Sequence, residues 1–181
     1  MSRFTTQPDG TLHGRFEPIE ADLLRLATTQ LLEMLDSGAD DPSLAASDGI
    51  FGRLLPDAYR DDDDAAAEFR RFTATDLLDR KAQNAQVVLN SLGSSEADTD
   101  TPDSSPDDDS DDLQPLTISL DPDAVQAWLR SLTDLRLTLA DRLQITPDGV
   151  VHLLGDNTPF LRELYEWLGM LQEELVYTID V

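Results

Sequence analysis

Residues 93–115 of the 181-residue chain read GSSEADTDTPDSSPDDDSDDLQP, with nine acidic side chains, no basic ones and almost nothing apolar. Such a segment buries too little apolar surface to offset the conformational entropy that it would lose on ordering. We therefore predict a disordered acidic loop at 93–115, inserted between helices. The residues on either side of it are enough for one core, so we expect a single domain over 1–181.

The charge of the chain restricts its partners. There are 37 acidic and 13 basic residues, a formal net charge of −24 at pH 7. Without the nine acids of the loop, 28 acids still face 13 bases, so the remainder keeps a charge of about −15. A surface of this sign repels nucleic acid and anionic membranes. We therefore expect no direct nucleic-acid or membrane partner, and a basic or cationic partner fits better.

The absence of cysteine excludes disulfides, zinc–thiolate sites, iron–sulfur clusters and thiol redox switching within this chain. The N-terminal sequence MSRFTTQPDG lacks the apolar core of a signal peptide. No apolar run approaches the roughly 18 residues that cross a bilayer. From these features we predict a cytoplasmic protein.

The sequence carries no motif of a known catalytic or metal-binding site. The two histidines, His13 and His152, are far apart, and no serine-hydrolase, zinc-protease, phosphate-loop, dinucleotide or EF-hand pattern occurs. The acidic runs at 61–64 and 107–112 lack the glycine turn and ligand spacing of a calcium loop. We expect no cofactor, no metal site and no enzymatic activity.

The first 92 residues predict a hairpin followed by helices. Pro8-Asp9-Gly10 is typical of a β-hairpin turn, because proline restricts φ and glycine accepts positive φ. A helix is predicted to begin at Pro18 and to end at Gly38. Its apolar residues at helical spacing are Ile19, Leu23, Leu26, Ala27, Leu31, Met34 and Leu35. The aspartates at 61–64 indicate the start of a short helix, and Thr75 is expected to cap a separate helix that runs to Leu92.

After the acidic loop, LTISL (116–120) is typical of a β-strand, and Asp121-Pro122 is predicted to begin a helix that runs to about Leu143. A second Pro-Asp-Gly turn leads to a strand-like VVHLL (150–154), and Thr158-Pro159 begins the last helix. The predicted fold class is mainly α (α+β). Four principal helices pack with a small N-terminal β-hairpin or sheet, and the disordered acidic loop interrupts them.

Two positive charges fall on apolar helical faces. At about 100° per residue, Arg136 lies within the apolar arc that contains Trp128, whereas Arg130 and Asp134 lie opposite, toward solvent. The same count places Lys81 among the apolar residues of its own helix. Both cations are therefore expected to point inward.

A buried cation needs a carboxylate, a carbonyl or a bound anion, since an unpaired one costs several kcal/mol. The last helix places Gln172 within its buried arc, and helix one does the same with Gln30 and has Glu20 near its start. The residues of this candidate site are Lys81, Asn84, Arg136, Gln172 and Glu20. They form either a structural polar network or a small-anion site. The second reading includes an unrecognised enzyme that uses the two cations.

A second candidate surface lies on the last two helices. Met170 and Tyr177, seven residues apart, fall on the acidic face of the last helix, and Leu137 is similarly exposed on the preceding one. Exposed apolar residues within an acidic rim are typical of a partner-binding surface, although single exposed apolar residues are also normal.

Three stretches of the sequence, 54–92, 128–143 and 165–176, resemble an actinobacterial family with a domain of unknown function that includes the oxidative-stress-responsive regulator AosR. The family pattern has an LFP-x-AY element, a K-x-x-N pair and a W-L-x-x-L-N-D-L-R-L block. The matching positions here are Pro56, Ala58, Tyr59, Lys81, Asn84, Trp128, Asp134 and Arg136. Thr133 stands where the pattern has asparagine.

The resemblance implies a regulator of transcription under oxidative stress that contacts a sigma factor and senses oxidants through a CxxxC disulfide. Without cysteine, the redox role does not carry over to this chain. What the resemblance leaves is a non-enzymatic, cytoplasmic regulatory or adaptor protein that acts through protein–protein contact. Its expected partner is another protein, such as a sigma factor or other transcription component.

We predict that replacing 93–115 with a short Gly/Ser linker leaves the fold intact, because this segment has almost no apolar side chains to contribute to a core. Thermal melts of the two proteins test this. A fall in Tm of more than about 8 °C would show that the segment packs against the domain.

Overall fold

The computed structural model describes residues 3–40, 49–55, 61–93, 114–146, 148–150 and 155–179. In chain order the elements are β1 (Phe4–Thr6), β2 (Leu12–Phe16), α1 (Pro18–Asp40), α2 (Ile50–Leu54), α3 (Asp63–Leu92), β3 (Leu116–Leu120), α4 (Pro122–Arg142) and α5 (Thr158–Ile179). The predicted fold class is confirmed, with α1, α3, α4 and α5 as the four principal helices. Nearly all of the predicted acidic loop, and the predicted strand after Val150, lie outside the described residues.

The three strands form one antiparallel sheet in the order β1-β2-β3. The predicted hairpin turn is confirmed: Gly10 has a φ of +85°, and the Gln7 amide donates to the Thr11 carbonyl over 2.8 Å. Gly14 sits between the other two strands, where a Cβ would lie 2.7 Å from the ring of Phe4. The absence of a side chain at this position lets the two outer strands pack their apolar residues over β2.

Aspartate caps begin two of the helices. The Asp121 carboxylate accepts a hydrogen bond from the Ala124 amide (2.7 Å), and Asp62 does the same for Ala65 (3.0 Å). The predicted separate helix capped by Thr75 is wrong, because α3 is one continuous helix of 30 residues. Residues 63–74 contain no glycine or proline and include several strong helix formers, so nothing interrupts the helix before position 75.

Helix α1 differs from its prediction in two ways. It continues past Gly38 to Asp40, and two of the residues expected on its buried face, Ile19 and Leu26, are 74% and 58% exposed. Leu24, which was not assigned to that face, is fully buried. Apolar residues occur around most of this helix, so periodicity alone does not determine the buried side. The packing of α1 against α3 determines it.

The core lies around α4, which contacts α1, α2, α3, α5 and β3. At its centre Trp128 is fully buried and stacks on Phe16, with ring centroids 5.7 Å apart. Phe4 meets Phe16 edge to face at 6.0 Å, which joins the sheet to the same cluster. Within the described ranges, no helix has the length and apolar character needed to cross a membrane.

We predict that Gly38→Ala destabilises the protein by about 1–3 kcal/mol, as overpacking of a core does. A Cβ at this buried position would lie 2.5 Å from the ring of Phe51. Gly52→Ala is the matched control, because nothing lies within 4 Å of its Cβ position. Urea unfolding of both variants provides the measurement, and equal stabilities would contradict the close approach at Gly38.

Candidate functional site

An ion pair between Lys81 and Asp134 joins α3 to α4. The Lys81 Nζ atom donates to the Asp134 Oδ1 atom over 2.6 Å, across 53 residues of sequence. Asp134 is only 2% exposed, whereas the Lys81 side chain is 22% exposed. Burial raises the pKa of the Asp134 carboxyl, and the hydrogen bond from Lys81 acts in the opposite direction. Lys81 therefore points inward, as predicted, and its ammonium group is paired with a carboxylate.

The expectation that Asp134 faces solvent is wrong. Its side of α4 is also buried, along with the similarly spaced Ala127, Ser131 and Thr138. A count of one apolar arc assumes that a helix has a single buried face, but α4 is surrounded by other elements. The signal that would have located the second face is this series of small and short polar residues at i, i+4, i+7 and i+11.

Arg136 lies in the contact between α4 and α5. Its Nη1 atom donates to the Gln172 Oε1 atom over 2.9 Å, so the partner predicted on the last helix is the one that the structure shows. The Gln172 amide nitrogen in turn donates to the Thr133 hydroxyl at 2.8 Å and to the Leu129 carbonyl at 3.4 Å. The guanidinium also lies 5.1 Å from the ring centroid of Tyr165. Arg136 is half-buried, as the helical face predicted.

The guanidinium of Arg136 lies close to α5 at Gly169. A Cβ built at Gly169 would lie 3.5 Å from the Cζ atom of Arg136, which is ordinary van der Waals contact. No carboxylate of the described residues lies within 4 Å of Arg136, and its buried Nε atom has no acceptor among them. Arg136 is thus held by an amide and an aromatic ring rather than by an acid.

The two cations do not share a site. Lys81 bonds to Asp134 in the α3–α4 interface, whereas Arg136 bonds to Gln172 in the α4–α5 interface. Among the described residues, no three His, Asp or Glu side chains are grouped as metal ligands would be. Within the described part of the chain, both cations make hydrogen bonds, and neither contacts a nucleophile paired with a base.

Glu20 belongs to a different cluster, at the start of α1. Arg3 donates to both of its carboxylate oxygens, over 2.6 and 2.9 Å, and the Glu17 amide donates to Oε2 over 2.9 Å. The hydrogen bonds from Arg3 hold the pKa of Glu20 below its ordinary value. The Arg3 guanidinium lies 5.2 Å from the ring centroid of Phe16 and 5.9 Å from that of Trp167. This cluster connects β1, α1 and α5.

The remaining candidate residues are placed as follows. Asn84 is half-buried on α3 and makes no side-chain hydrogen bond to another described residue. Gln30, predicted to be buried, is exposed and accepts a long hydrogen bond of 3.5 Å from Arg142. Of the predicted partner surface, Met170 and Tyr177 are 56% and 74% exposed. Leu137, predicted to be exposed, is only half-exposed and packs against the core.

A family model described as a domain of unknown function (DUF2017) matches residues 1–179. The chain belongs to this family. Its relatives include proteins named oxidative stress regulator AosR from Mycobacterium tuberculosis and Mycobacterium bovis. Each is 29% identical to this chain over 207 aligned residues, which cover 98% of this chain and 86% of the relative. No solved structure matches the chain.

Membership confirms the resemblance seen in the sequence and gives part of its pattern a structural basis. Lys81 and Asp134, two of the matching positions, form the ion pair between α3 and α4. Trp128 is the buried aromatic at the centre of the DUF2017 core, and Arg136 holds the contact of α4 with α5. Pro56, Ala58 and Tyr59 lie outside the described residues.

We predict that Lys81→Met destabilises the protein by about 3–5 kcal/mol, the typical cost of leaving one partner of a buried ion pair unpaired. Arg80→Met, at the exposed neighbouring position, should cost no more than about 0.5 kcal/mol. The double variant Lys81→Met, Asp134→Leu should recover most of the loss, because an apolar pair replaces a buried ion pair with little cost. Urea titrations measure all three, and equal losses at positions 80 and 81 would contradict a structural role for the pair.

The pH dependence of Lys81→Met provides a further readout of the same pair. A carboxyl with a raised pKa in the folded state contributes stability at low pH, and this stability is lost as the pH rises through the folded pKa. Removing Lys81 also removes its lowering effect on the pKa of Asp134. The stability gap between wild type and variant should therefore narrow as the pH falls from about 7 to about 4, where Asp134 accepts a proton more readily.

Proposed function

We propose that this DUF2017 protein is a non-enzymatic, cytoplasmic regulatory protein that acts through contact with another protein in oxidative-stress regulation. The observation that carries this proposal is the match of the family over residues 1–179, together with relatives named as oxidative stress regulators. A sigma factor or other component of the transcription machinery is the proposed class of partner.

The charge of the chain favours a protein partner over direct DNA contact. A net charge of −24 opposes approach to phosphate groups, which proteins contact with lysine and arginine. Several of the basic side chains are also engaged within the fold, as with Lys81 and Arg3. Regulation of transcription by this chain would therefore proceed through a protein that itself binds DNA or polymerase.

The chain has no cysteine, so an oxidative signal cannot act through a thiol of this protein. The oxidant-sensitive element would belong to the partner or to an upstream component. A joint anion site or an active site built on both Lys81 and Arg136 is less well supported, because the two residues lie in different helix interfaces.

We predict that the protein, immobilised and exposed to host lysate, retains a component of the transcription machinery, identified by mass spectrometry. The double variant Met170→Ser, Tyr177→Ser should retain at least about tenfold less of it, as loss of exposed interface anchors can cost more than 1.4 kcal/mol. Phe72→Ser is the matched control, because Phe72 is 75% exposed on a different helix, α3.

Treating the purified protein with the thiol oxidant diamide should leave this retention unchanged, since the chain contains no cysteine. Two outcomes would contradict the proposed function. One is micromolar binding of the isolated chain to duplex DNA that weakens as salt is added. The other is retention of no transcription component by the wild-type protein.

A further inference from the structure

Arg136 occupies an unusual position for a cation in so acidic a protein. The chain has 37 acidic residues, yet no carboxylate of the described part lies within 4 Å of the Arg136 guanidinium. Its one hydrogen bond to a described residue, from Nη1 to Gln172, is to a neutral amide. Guanidinium groups have five N–H donors, so several donors of Arg136 remain without an acceptor in this part of the chain.

The surroundings hold this guanidinium in a fixed orientation. Gln172 is itself anchored by two hydrogen bonds, to Thr133 and to the Leu129 carbonyl, which orients its oxygen toward Arg136. Tyr165 lies against the guanidinium, which also lies close to α5 at Gly169. An arginine already ordered in this way loses less side-chain entropy when it binds an acid.

Two open depressions adjoin the arginine. One, of about 440 Å³, is lined by Arg136, Gly169, Gln172, Glu173, Val176 and Tyr177. The other, of about 280 Å³, is lined by Thr133, Arg136, Leu137, Ala140, Tyr165 and Gln172. We refer to these residues together as the Arg136 surface. Its exposed apolar members are Val176, which is 40% exposed, and Tyr177, which is 74% exposed.

We propose that the Arg136 surface binds a partner-protein segment in which a carboxylate side chain stands next to an apolar one. The carboxylate would accept hydrogen bonds from the Nη atoms of Arg136, and the apolar side chain would cover Val176 and Tyr177. This inference rests on the proposed function and specifies the chemistry of the partner.

The same surface disfavours a free anion such as phosphate. Glu173 lines the larger depression, and the chain as a whole carries a charge of −24. A phosphate dianion would gain binding free energy only from its contact with Arg136. A peptide would also bury apolar area on Val176 and Tyr177, and it can place a basic side chain beside Glu173. Charge and apolar exposure together therefore favour a protein segment as the occupant.

The test is an NMR titration of the full-length, ¹⁵N-labelled protein with two capped tripeptides, acetyl-Leu-Asp-Leu-amide and acetyl-Leu-Asn-Leu-amide. The aspartate peptide should shift the amides of Gly169, Gln172 and Val176 and bind about fivefold more tightly than the asparagine peptide, as expected for an exposed ion pair. The difference should decrease when salt is added.

Variants locate the source of this discrimination. In Arg136→Gln the two peptides should bind equally, whereas in Arg130→Gln, an exposed arginine on the same helix, the fivefold difference should remain. Tyr177→Ser should weaken the binding of both peptides without changing the ratio of their affinities. Equal binding of the two peptides to the wild-type protein would overturn the proposal whether or not the Arg136 variant folds. Discrimination that persists in Arg136→Gln would overturn it as well.

These results are separable from the proposed function. Retention of a transcription component with no peptide discrimination would refute the Arg136 contact and leave the regulatory role in place. Peptide discrimination without any retained partner would support the contact and refute the proposed regulatory role.

Discussion

The ion pair between Lys81 and Asp134 connects the two halves of this chain. Lys81 lies on α3, which ends at Leu92, and Asp134 lies on α4, which begins at Pro122, so the acidic segment separates the two residues in the sequence. An unpaired charge is costly in a buried position, and this cost favours one alignment of α3 against α4 over alternatives that separate the two groups. Because α4 also contacts α1, α2, α5 and β3, its placement against α3 affects most of the core.

Several positively charged side chains join different elements of the fold. Arg3 connects β1 to α1 through Glu20, and Arg53 on α2 reaches Asp141 on α4 over 3.3 Å. Arg25 on α1 donates to the carbonyls of Leu92 and Gly93 at the end of α3. With these cations engaged in contacts between elements, the net charge of −24 is of the sign that opposes approach to phosphate backbones and anionic membranes.

This distribution links the fold to the proposed regulatory role. In the proposed function, this DUF2017 protein acts on transcription through another protein, which supplies any DNA contact or redox chemistry. Unlike Arg3, Arg25 and Arg53, Arg136 has no described acid within 4 Å and is ordered instead by Gln172 and Tyr165. Its position next to exposed apolar residues of α5 is what makes this face the candidate for a partner.

The sequence determined the hairpin, the start of α1, α4 and α5, the negative net charge and the inward orientation of Lys81 and Arg136, because capping residues, turn residues and apolar spacing act locally along the chain. The contact of Arg136 with Gln172 was also predictable from the sequence, since both residues fall inside the apolar arcs of their helices. Only the tertiary structure decided that Asp134 is buried, that Leu24 rather than Leu26 faces the core, and that Glu20 pairs with Arg3. Each of these depends on which elements surround a helix, and a helix enclosed on more than one side has a second buried face that the count of a single arc does not contain.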